Sequence, residues 1–395
     1  MLDIVKKLFG VFIAILYKLT PKKDIVLFHS DLYRDNAKYL YEYIKGKTDY
    51  SLVWILNDKR LVKELNKNGI RAVYSLSLKC ALTCARLKMI ITTNLPPIST
   101  MYINPIIVQV FHGFGTKQNP TDYVYSRQIK QVQKQLRNID YIICLSKRDN
   151  EYFFPKEKLQ IDDKYPEYLP LGLPRNDMLI DSTKMKICTK KLVENFGLKR
   201  NEKVILYAPT WREKPEGSDF NDYWFFDKKE TEKFELYLRE GNYVLLLRPH
   251  HHCLRDSNFR DKIMDITNEY PNTFKFVGAD IWSDTQEILC ITDILITDFS
   301  SIYVDYLLTN RPIIYLDMDT EDYVKHRGLV IDYYNDLHTP GPKVSSLDQI
   351  VNYLEELGSG VDKYEKIRKK SLYFYHDNAD GNSTERVGKL VLELL

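Results

Sequence analysis

Alternation of short apolar runs with helix-like stretches is the feature that most constrains the fold of this 395-residue chain. One series of strand-like runs occupies the first half, and a second series occupies the second half. They are 24–29, 51–56, 88–93, 106–111 and 140–145, then 203–208, 243–248, 273–277, 293–297 and 312–316. Two consecutive β/α series predict an α/β protein with two doubly wound, Rossmann-like sheets that face each other across a cleft.

The length of the chain also favours two domains, because single hydrophobic cores stop growing at about 250–300 residues. Prolines and a glycine interrupt the periodicity over 168–179, which predicts a boundary there. We therefore expect an N-terminal domain over 24–178 and a C-terminal domain over 179–360. Residues 361–395 have the pattern of charged helices, which can cross back onto the first domain.

The composition and the residue spacings limit the possible partners and cofactors but do not identify the function. The formal net charge of +3 is too small to indicate a nucleic-acid partner. Six cysteines without a CxxC pair or a zinc spacing suggest a reducing compartment. Because no carboxylate cluster has a metal-binding spacing, we expect no metal site and no obligatory cofactor; stimulation by Mg²⁺ stays open.

The N-terminal segment 1–23 is an apolar helix flanked by lysines. Its uncharged stretch, 8–17, is too short to span a bilayer, and no small-residue cleavage site follows it. Residues 59–88 add eight basic residues against the single acid Glu64. Both segments fit peripheral attachment to an anionic membrane surface. A first helix packed on the core, and a merely solvated basic face, are the alternatives.

Residues able to bind ligands or take part in catalysis cluster just beyond the carboxyl ends of the predicted strands, where ligands bind in open α/β sheets. Five such loops carry hydroxyl, arginine, histidine and glycine residues, which together suit an anion. The candidates are His112, Gly113, Gly115, Thr116 and Lys117 after 106–111; Thr210 and Arg212 after 203–208; Arg248 and His250 after 243–248; Thr297, Asp298, Ser300 and Ser301 at the end of 293–297; and Arg327 and Gly328 further on.

The stretch "TDFSS" (297–301) admits two interpretations. Backbone N–H groups at the start of a predicted helix over 300–309, with the Ser300 and Ser301 hydroxyls, could donate to phosphate oxygens. Asp298 would repel phosphate, so it would cap the helix, hold a loop donor or meet a polyol hydroxyl. Alternatively, Asp298 and Ser300 are only N-caps.

The ordered motifs resemble those of the CDP-glycerol glycerophosphotransferase family, whose members build polyol-phosphate polymers of teichoic acids and some capsules. They are His-Gly (112–113), "LGLPRND" (171–177), "YAPTWR" (207–212), "RPH" (248–250), "TDFSSIYVDYLLTNRPIIY" (297–315) and "RGLVID…PGP" (327–342). The resemblance covers roughly 100–345. It implies a GT-B fold, monotopic attachment at the cytoplasmic face of the membrane, a CDP-polyol donor, and a lipid-linked, undecaprenyl-type acceptor. The implied reaction transfers a polyol phosphate to a hydroxyl and releases CMP.

Roles for individual residues follow from the resemblance. His112 is expected to be the general base, since neutral imidazole can take a hydroxyl proton near pH 7. His250 would bind the pyrophosphate or stabilise the leaving CMP phosphate. Arg212 and Arg327 could fork onto phosphate oxygens, with Thr210 as a hydroxyl donor, and Arg248 is expected in the same phosphate-binding set. The alternatives are a structural histidine at a strand end and ordinary ion pairs.

One loop departs from the commonest family pattern, His-Gly-Thr-Pro-Leu-Lys. Here Phe114 and Gly115 take the third and fourth places, which puts the identity of the acceptor in doubt more than the chemistry. Glycerol phosphate is the expected group and ribitol phosphate its alternative. A GT-B glycosyltransferase that uses a sugar nucleotide and a non-enzymatic membrane-associated binding protein are the rival classes. The short chain favours priming or short extension over long-chain polymerisation.

Overall fold

The computed structural model describes residues 2–100, 102–117, 136–149, 166–199, 201–211, 226–250, 253 and 257–395. These residues form two compact units. The first takes the described residues of Met1–Phe114, Asn119–Asp177 and Asp380–Leu395, and the second takes those of Gly115–Gln118 and Met178–Ala379. The chain therefore passes between the units at Asp177–Met178, again at Ala379–Asp380, and within the loop that follows His112.

The first unit contains a seven-stranded sheet in the order β3-β2-β1-β4-β5-β6-β7. Its strands are β1 (Ile25–His29), β2 (Ser51–Leu56), β3 (Ala72–Tyr74), β4 (Leu87–Thr92), β5 (Ile106–Gln109), β6 (Tyr141–Ile143) and β7 (Glu167–Leu169). All pairings between these strands are parallel. The central strands β1, β4 and β5 are almost wholly buried, as expected for a sheet covered on both faces.

The described residues of the first unit also form five helices. They are α1 (Leu2–Leu19), α2 (Asp35–Ile44), α3 (Lys59–Lys67), α4 (Leu78–Cys84) and the last helix of the chain, Ser383–Leu394. Asp58 and Ser77 cap α3 and α4 by accepting backbone N–H bonds with their side chains. A 3₁₀ turn at Pro174–Leu179 contains the Asp177–Met178 point at which the chain leaves the first unit.

The second unit contains a six-stranded parallel sheet in the order β10-β9-β8-β11-β12-β13. Its strands are β8 (Lys203–Tyr207), β9 (Tyr243–Leu247), β10 (Phe274–Phe276), β11 (Ile294–Thr297), β12 (Ile313–Leu316) and β13 (Lys343–Val344). Its helices are α5 (Ser182–Phe196), α6 (Lys228–Glu240), α7 (Ser257–Glu269), α8 (Thr285–Ile291), α9 (Ile302–Tyr306), α10 (Thr320–Arg327), α11 (Leu347–Gly358) and α12 (Glu365–Tyr375), and the last helix of the first unit becomes α13.

All ten strands predicted from the sequence are present, so the predicted α/β class with two parallel sheets is confirmed. The strands missed are β3, β7 and β13, which have two or three residues each. All three lie at sheet edges, where one strand neighbour is enough and a long apolar run is not needed.

The helices of 361–395 do not act as one segment. Helix α12 belongs to the second unit, whereas α13 packs against α2 in the first, where Gly388 lies against the ring of Tyr43. Asp177 fixes the start of α13, since its carboxylate accepts from the backbone N–H groups of Ser383 (2.9 Å) and Thr384 (2.7 Å). The end of the "LGLPRND" motif is therefore a helix cap.

Candidate active site

His112 lies in the first unit, immediately beyond the carboxyl end of β5. Phe111 has a positive φ of 50° and Gly113 a φ of 130°, so the chain turns sharply on both sides of the histidine. The buried ring of Phe111 stacks on the imidazole with 5.5 Å between ring centroids. The turn presents the exposed His112 side chain beyond the sheet edge, at the cost of an unusual backbone conformation for Phe111.

A single hydrogen bond sets the tautomer of His112. Its Nδ1 atom lies 3.2 Å from the carbonyl oxygen of Thr93, which follows β4. Because a carbonyl can only accept, Nδ1 must carry the proton, and the neutral ring then has its lone pair on Nε2. An exposed imidazole with an unprotonated Nε2 is equipped to accept a proton from a hydroxyl.

The loop that carries His112 is held from behind by Asn36, near the start of α2. The Nδ2 group of Asn36 donates to the carbonyl oxygens of Val110 and Phe111, both at 2.9 Å, and its Oδ1 accepts from the backbone N–H of Arg175 at 3.0 Å. Sequence reasoning did not single out Asn36. The signal available was its place beyond the end of β1, the same sheet edge that supplied the other candidates.

In the second unit, two of the predicted loops are bonded to each other. Thr297, at the end of β11, donates through Oγ1 to the carbonyl of Ala208 at 2.8 Å. The Oδ1 atom of Asp298 accepts from the backbone N–H of Thr210 at 2.7 Å, and Asp298 is fully buried. Of the roles open to Asp298, holding a loop donor is the one this geometry shows.

The helix after "TDFSS" is shorter than the predicted 300–309. Helix α9 has five residues, Ile302–Tyr306, and continues as the 3₁₀ turn Leu307–Thr309. Ser301 makes no side-chain cap bond, and Ser300 Oγ lies 3.5 Å from the Ile302 nitrogen. So short a helix has a weak dipole, so an anion here would rely on the half-buried serine hydroxyls and local N–H groups more than on the helix.

Buried tyrosines connect α9 to the rest of the second unit. The hydroxyls of Tyr303 and Tyr375 lie 3.0 Å apart, and Tyr375 donates to the carbonyl of His338 at 2.9 Å. Burial raises the pKa of Tyr303 well above its usual value, so the phenol stays neutral. His376 adds an Nε2–H bond of 2.8 Å to the carbonyl of Val304. Buried hydrogen bonds from Tyr375 and His376 thus hold the helix that follows the "TDFSS" turn in place.

The end of the His112 loop reaches the same turn. Thr116 belongs to the second unit and donates through Oγ1 to the carbonyl of Phe299 at 2.7 Å. Its own carbonyl accepts from the N–H of Val330 at 3.1 Å, and Lys117 forms an isolated antiparallel bridge with Leu329. The loop predicted to lie wholly in the N-terminal domain is therefore divided, because Thr116 and Lys117 pair with "RGLVID" and "TDFSS" in the second unit.

Arg327 and Gly328 end α10 beside this bridge. Gly328 has φ 70° and ψ 151°, a conformation that is essentially restricted to glycine, and it is buried. This turn sends the chain from the helix into Leu329 and Val330, the partners of the Thr116–Lys117 segment. Arg327 is half-buried in the last turn of α10.

Arg248 and His250 follow β9 and differ in their surroundings. Arg248 is 8% exposed, and its guanidinium donates to the carbonyls of Val277 (2.7 Å) and Trp282 (2.9 Å). These bonds give Arg248 a structural role in fixing the loops after β9 and β10. The His250 ring is exposed and stacks on Trp211 with 6.2 Å between centroids. Arg212 lies outside the described residues.

The structure thus groups the predicted residues into two sets. The His112 turn is built entirely in the first unit, whereas Thr116, Thr210, Thr297, Asp298 and the "RGLVID" loop are linked by hydrogen bonds in the second. Within the described ranges, no group of three His, Cys, Asp or Glu side chains could hold a metal ion. The chemistry available is that of an imidazole base and of hydroxyl, amide and cationic donors.

Comparison with known proteins agrees with these motifs. The family model described as CDP-Glycerol:Poly(glycerophosphate) glycerophosphotransferase matches residues 11–393. A teichoic acid poly(ribitol-phosphate) polymerase of Bacillus spizizenii is 26% identical over 94% of this chain and 56% of its own length. A teichoic acid glycerol-phosphate transferase of Staphylococcus aureus is 25% identical over 98% of this chain and 99% of its own length.

The fold has a solved counterpart. The wall teichoic acid polymerase TagF superimposes with a TM-score of 0.76 at 23% identity, covering 96% of this chain and 92% of that one. This likeness gives the chain a GT-B-like fold. With the family model spanning nearly its whole length, the chain belongs to the CDP-glycerol:poly(glycerophosphate) glycerophosphotransferase family.

Proposed function

We propose that this protein transfers glycerol phosphate from CDP-glycerol to a hydroxyl of a lipid-linked cell-wall or capsule acceptor and releases CMP. The observation that carries the proposal is the exposed His112 imidazole, whose Nδ1 is engaged by the Thr93 carbonyl. Membership of the family supports the donor class. Relatives that act in teichoic acid synthesis support the acceptor class.

The proposed step is an in-line displacement at the phosphorus that bears the glycerol. The acceptor oxygen forms a bond to that phosphorus while His112 Nε2 takes the hydroxyl proton. The bond from the phosphorus to the bridging oxygen breaks, and CMP leaves with that oxygen. Such reactions depend on positioning and on stabilising charge over the phosphate oxygens, and they need no covalent enzyme intermediate.

The donor is proposed to bind at the second unit through the residues that remain exposed or half-buried there. His250, Ser300, Ser301 and Arg327 have this exposure, and Arg212 completes the predicted set. The remaining members, Thr210, Arg248, Thr297, Asp298 and Gly328, are buried and build the loops that present them. We infer that the exposed set contacts the pyrophosphate and the polyol. The buried set holds the loops that position these contacting side chains.

Gly113, Gly115, Thr116 and Lys117 are proposed to shape the acceptor side. Ribitol phosphate is the second candidate group, since one relative named above is a poly(ribitol-phosphate) polymerase. The chain matches almost the full length of a glycerol-phosphate transferase but about half of that polymerase. We propose that the reaction requires no metal ion, although Mg²⁺ could stimulate it.

We infer that the protein works as a peripheral protein at an anionic, cytoplasmic membrane face. Helix α1 exposes a stripe of large apolar residues at helical spacing: Leu8, Val11, Phe12, Ile15 and Leu19. The neighbouring α4 exposes Leu78 and Leu82, and basic residues of 59–88 extend the surface. Among the described helices, none is long and apolar enough to cross a bilayer. An apolar stripe with nearby lysines suits insertion between lipid headgroups.

The reaction class is tested by the nucleotide released. Purified protein is incubated with a lipid-linked acceptor analogue and CDP-glycerol, CDP-ribitol or UDP-glucose in parallel, and the nucleotide products are quantified. The proposal expects CMP from CDP-glycerol at a rate well above that from CDP-ribitol. Faster release from CDP-ribitol would favour the ribitol alternative. Release of UDP from UDP-glucose, with no CMP from either donor, would establish the glycosyltransferase alternative.

A further inference from the structure

We propose that Asn36 is a positioning residue that sets the place of the His112 base, an inference that rests on the proposed function. Asn36 is fully buried, and both the NH₂ group and the oxygen of its side-chain amide form hydrogen bonds. Its two amide hydrogens go to the Val110 and Phe111 carbonyls, and its oxygen accepts from the Arg175 N–H. Three hydrogen bonds from one short side chain make a rigid bracket between α2, the His112 loop and the "LGLPRND" motif.

The bracket acts on His112 through a shared peptide plane. The carbonyl of Phe111 and the N–H of His112 belong to one planar group, so fixing the Phe111 oxygen also fixes where the His112 Cα lies. Fixing the Val110 oxygen as well holds both peptide planes that flank Phe111. Since Phe111 has a φ of 50°, a conformation that bulky residues rarely adopt, the loop needs this restraint to keep it.

A second contact holds the bracket itself. Asp35, the residue before Asn36, has a φ of 65°, and its Oδ1 accepts from the Asn36 backbone N–H at 2.7 Å. The same oxygen accepts from Arg175 Nη1 at 2.9 Å. Arg175 therefore meets both residues, through its backbone N–H and its guanidinium. These hydrogen bonds form a local network that links the segments after β1, β5 and β7 in the first unit. The same network holds the His112 turn in its conformation.

The chemistry of the bracket is specific to asparagine. Aspartate has nearly the same shape and can still accept from the Arg175 N–H, but as a carboxylate it has no hydrogen to give to two carbonyls. Alanine removes all three bonds and leaves the buried carbonyls and N–H unsatisfied. Asn36→Asp is therefore the variant that isolates the two donated bonds while keeping the volume of the side chain.

The experiment compares wild type, Asn36→Asp and the core variant Val53→Ala, which weakens the core at β2 and removes none of the Asn36 hydrogen bonds. CMP release gives kcat and the KM for CDP-glycerol, and the melting temperature gives stability. We expect Asn36→Asp to lower kcat about 100-fold with little change in KM, because misplacing a base by about 1 Å costs that much. Val53→Ala should lose comparable stability and keep kcat. Equal kcat losses in the two variants, or a kcat of Asn36→Asp within about twofold of wild type, would overturn the proposal.

A second readout is independent of turnover. In protein with ¹⁵N-labelled histidine, with His112→Gln used to assign the signal, the wild-type His112 ring should show the Nδ1–H tautomer. Asn36→Asp should lose that preference, because the ring moves away from the Thr93 carbonyl. If wild type releases no CMP but the tautomer changes as expected, the proposed function fails and the bracket stands. An unchanged His112 signal in Asn36→Asp would refute the bracket whatever the activity.

Discussion

The hydroxyl of Thr116 donates to the carbonyl of Phe299 at 2.7 Å and joins two motifs that lie 183 residues apart in the chain. Phe299 is fully buried, and its ring stacks on Tyr323 with 4.2 Å between centroids. The contact therefore joins Thr116, at the end of the His112 loop, to the buried Phe299 of the "TDFSS" turn. Only Gly113, Phe114 and Gly115 separate His112 from this anchor.

Removing the Thr116 hydroxyl should release the anchor. Thr116→Val keeps the side-chain shape but leaves the buried Phe299 carbonyl without this donor, which should lower the free energy of unfolding by about 1–3 kcal/mol. We also expect slower CMP release, since the loop near His112 gains freedom. Thr267→Val is the matched control, because it deletes a threonine-to-carbonyl bond within α7. An equal effect of the two variants on activity would contradict a special role for Thr116.

Asp298 is expected to matter as a hydrogen-bond acceptor within the second unit. Asp298→Ala leaves the Thr210 N–H without its partner and should cost about 1–3 kcal/mol in unfolding free energy. Asp298→Asn can still accept from that N–H and should retain most of the stability. Denaturant unfolding of both variants, with the exposed Asp265→Asn as control, measures the difference. If Asn and Ala at 298 destabilise equally, the acceptor role is wrong.

Stability should fall in mild acid because of His29, at the end of β1. Burial lowers the pKa of His29 from 6.5 to about 4, so the folded protein keeps the ring neutral while the unfolded chain protonates it. The stabilisation is full above pH 6.5 and is lost as the pH falls towards 4. Allowing for partial solvent access, the loss is about 2 kcal/mol.

The melting temperature of wild type and His29→Gln between pH 7 and pH 4 tests this origin. His29→Gln has no group to titrate at this position, so its melting temperature should fall less over the same range. His376 is present in both proteins and contributes in the same direction, since burial lowers its pKa too. Parallel curves for the two proteins would exclude His29 as the source of the acid sensitivity.

Vesicle binding should depend on the exposed stripe of α1. Replacing Phe12 and Ile15 together by aspartate removes two apolar side chains, worth about 1.5–3 kcal/mol each when buried, and adds two charges that an anionic surface repels. Cosedimentation with anionic phospholipid vesicles should therefore fall at least about tenfold. Ile187→Asp changes a still more exposed apolar residue on α5 and should bind like wild type. Undiminished binding of the double variant would show that the α1 stripe is not the attachment site, and 59–88 would then be the candidate.

The two sheets could be predicted from the sequence because their central strands are buried on both faces and appear as continuous apolar runs. The edge strands β3, β7 and β13 and the early end of α9 could not, because hydrogen bonds to neighbouring segments determine them. The motifs located the strand-end residues, but not which of them are structural. The sequence predicts that Arg248 binds phosphate and that Asp298 caps the helix, holds a loop donor or meets a polyol hydroxyl. In the structure both residues are buried and form hydrogen bonds within the protein. Asn36 was missed because its partners come from residues over 70 positions away.

The most direct test of the account measures both products of one reaction. Wild type and His112→Gln are incubated with CDP-glycerol and a lipid-linked acceptor analogue, and the CMP released is compared with the glycerol phosphate attached, by mass spectrometry. The account predicts one CMP per glycerol phosphate for wild type and a rate at least about 100-fold lower for His112→Gln at unchanged folding. Undiminished transfer by His112→Gln, or wild-type CMP release with no phosphate on the acceptor, would contradict it.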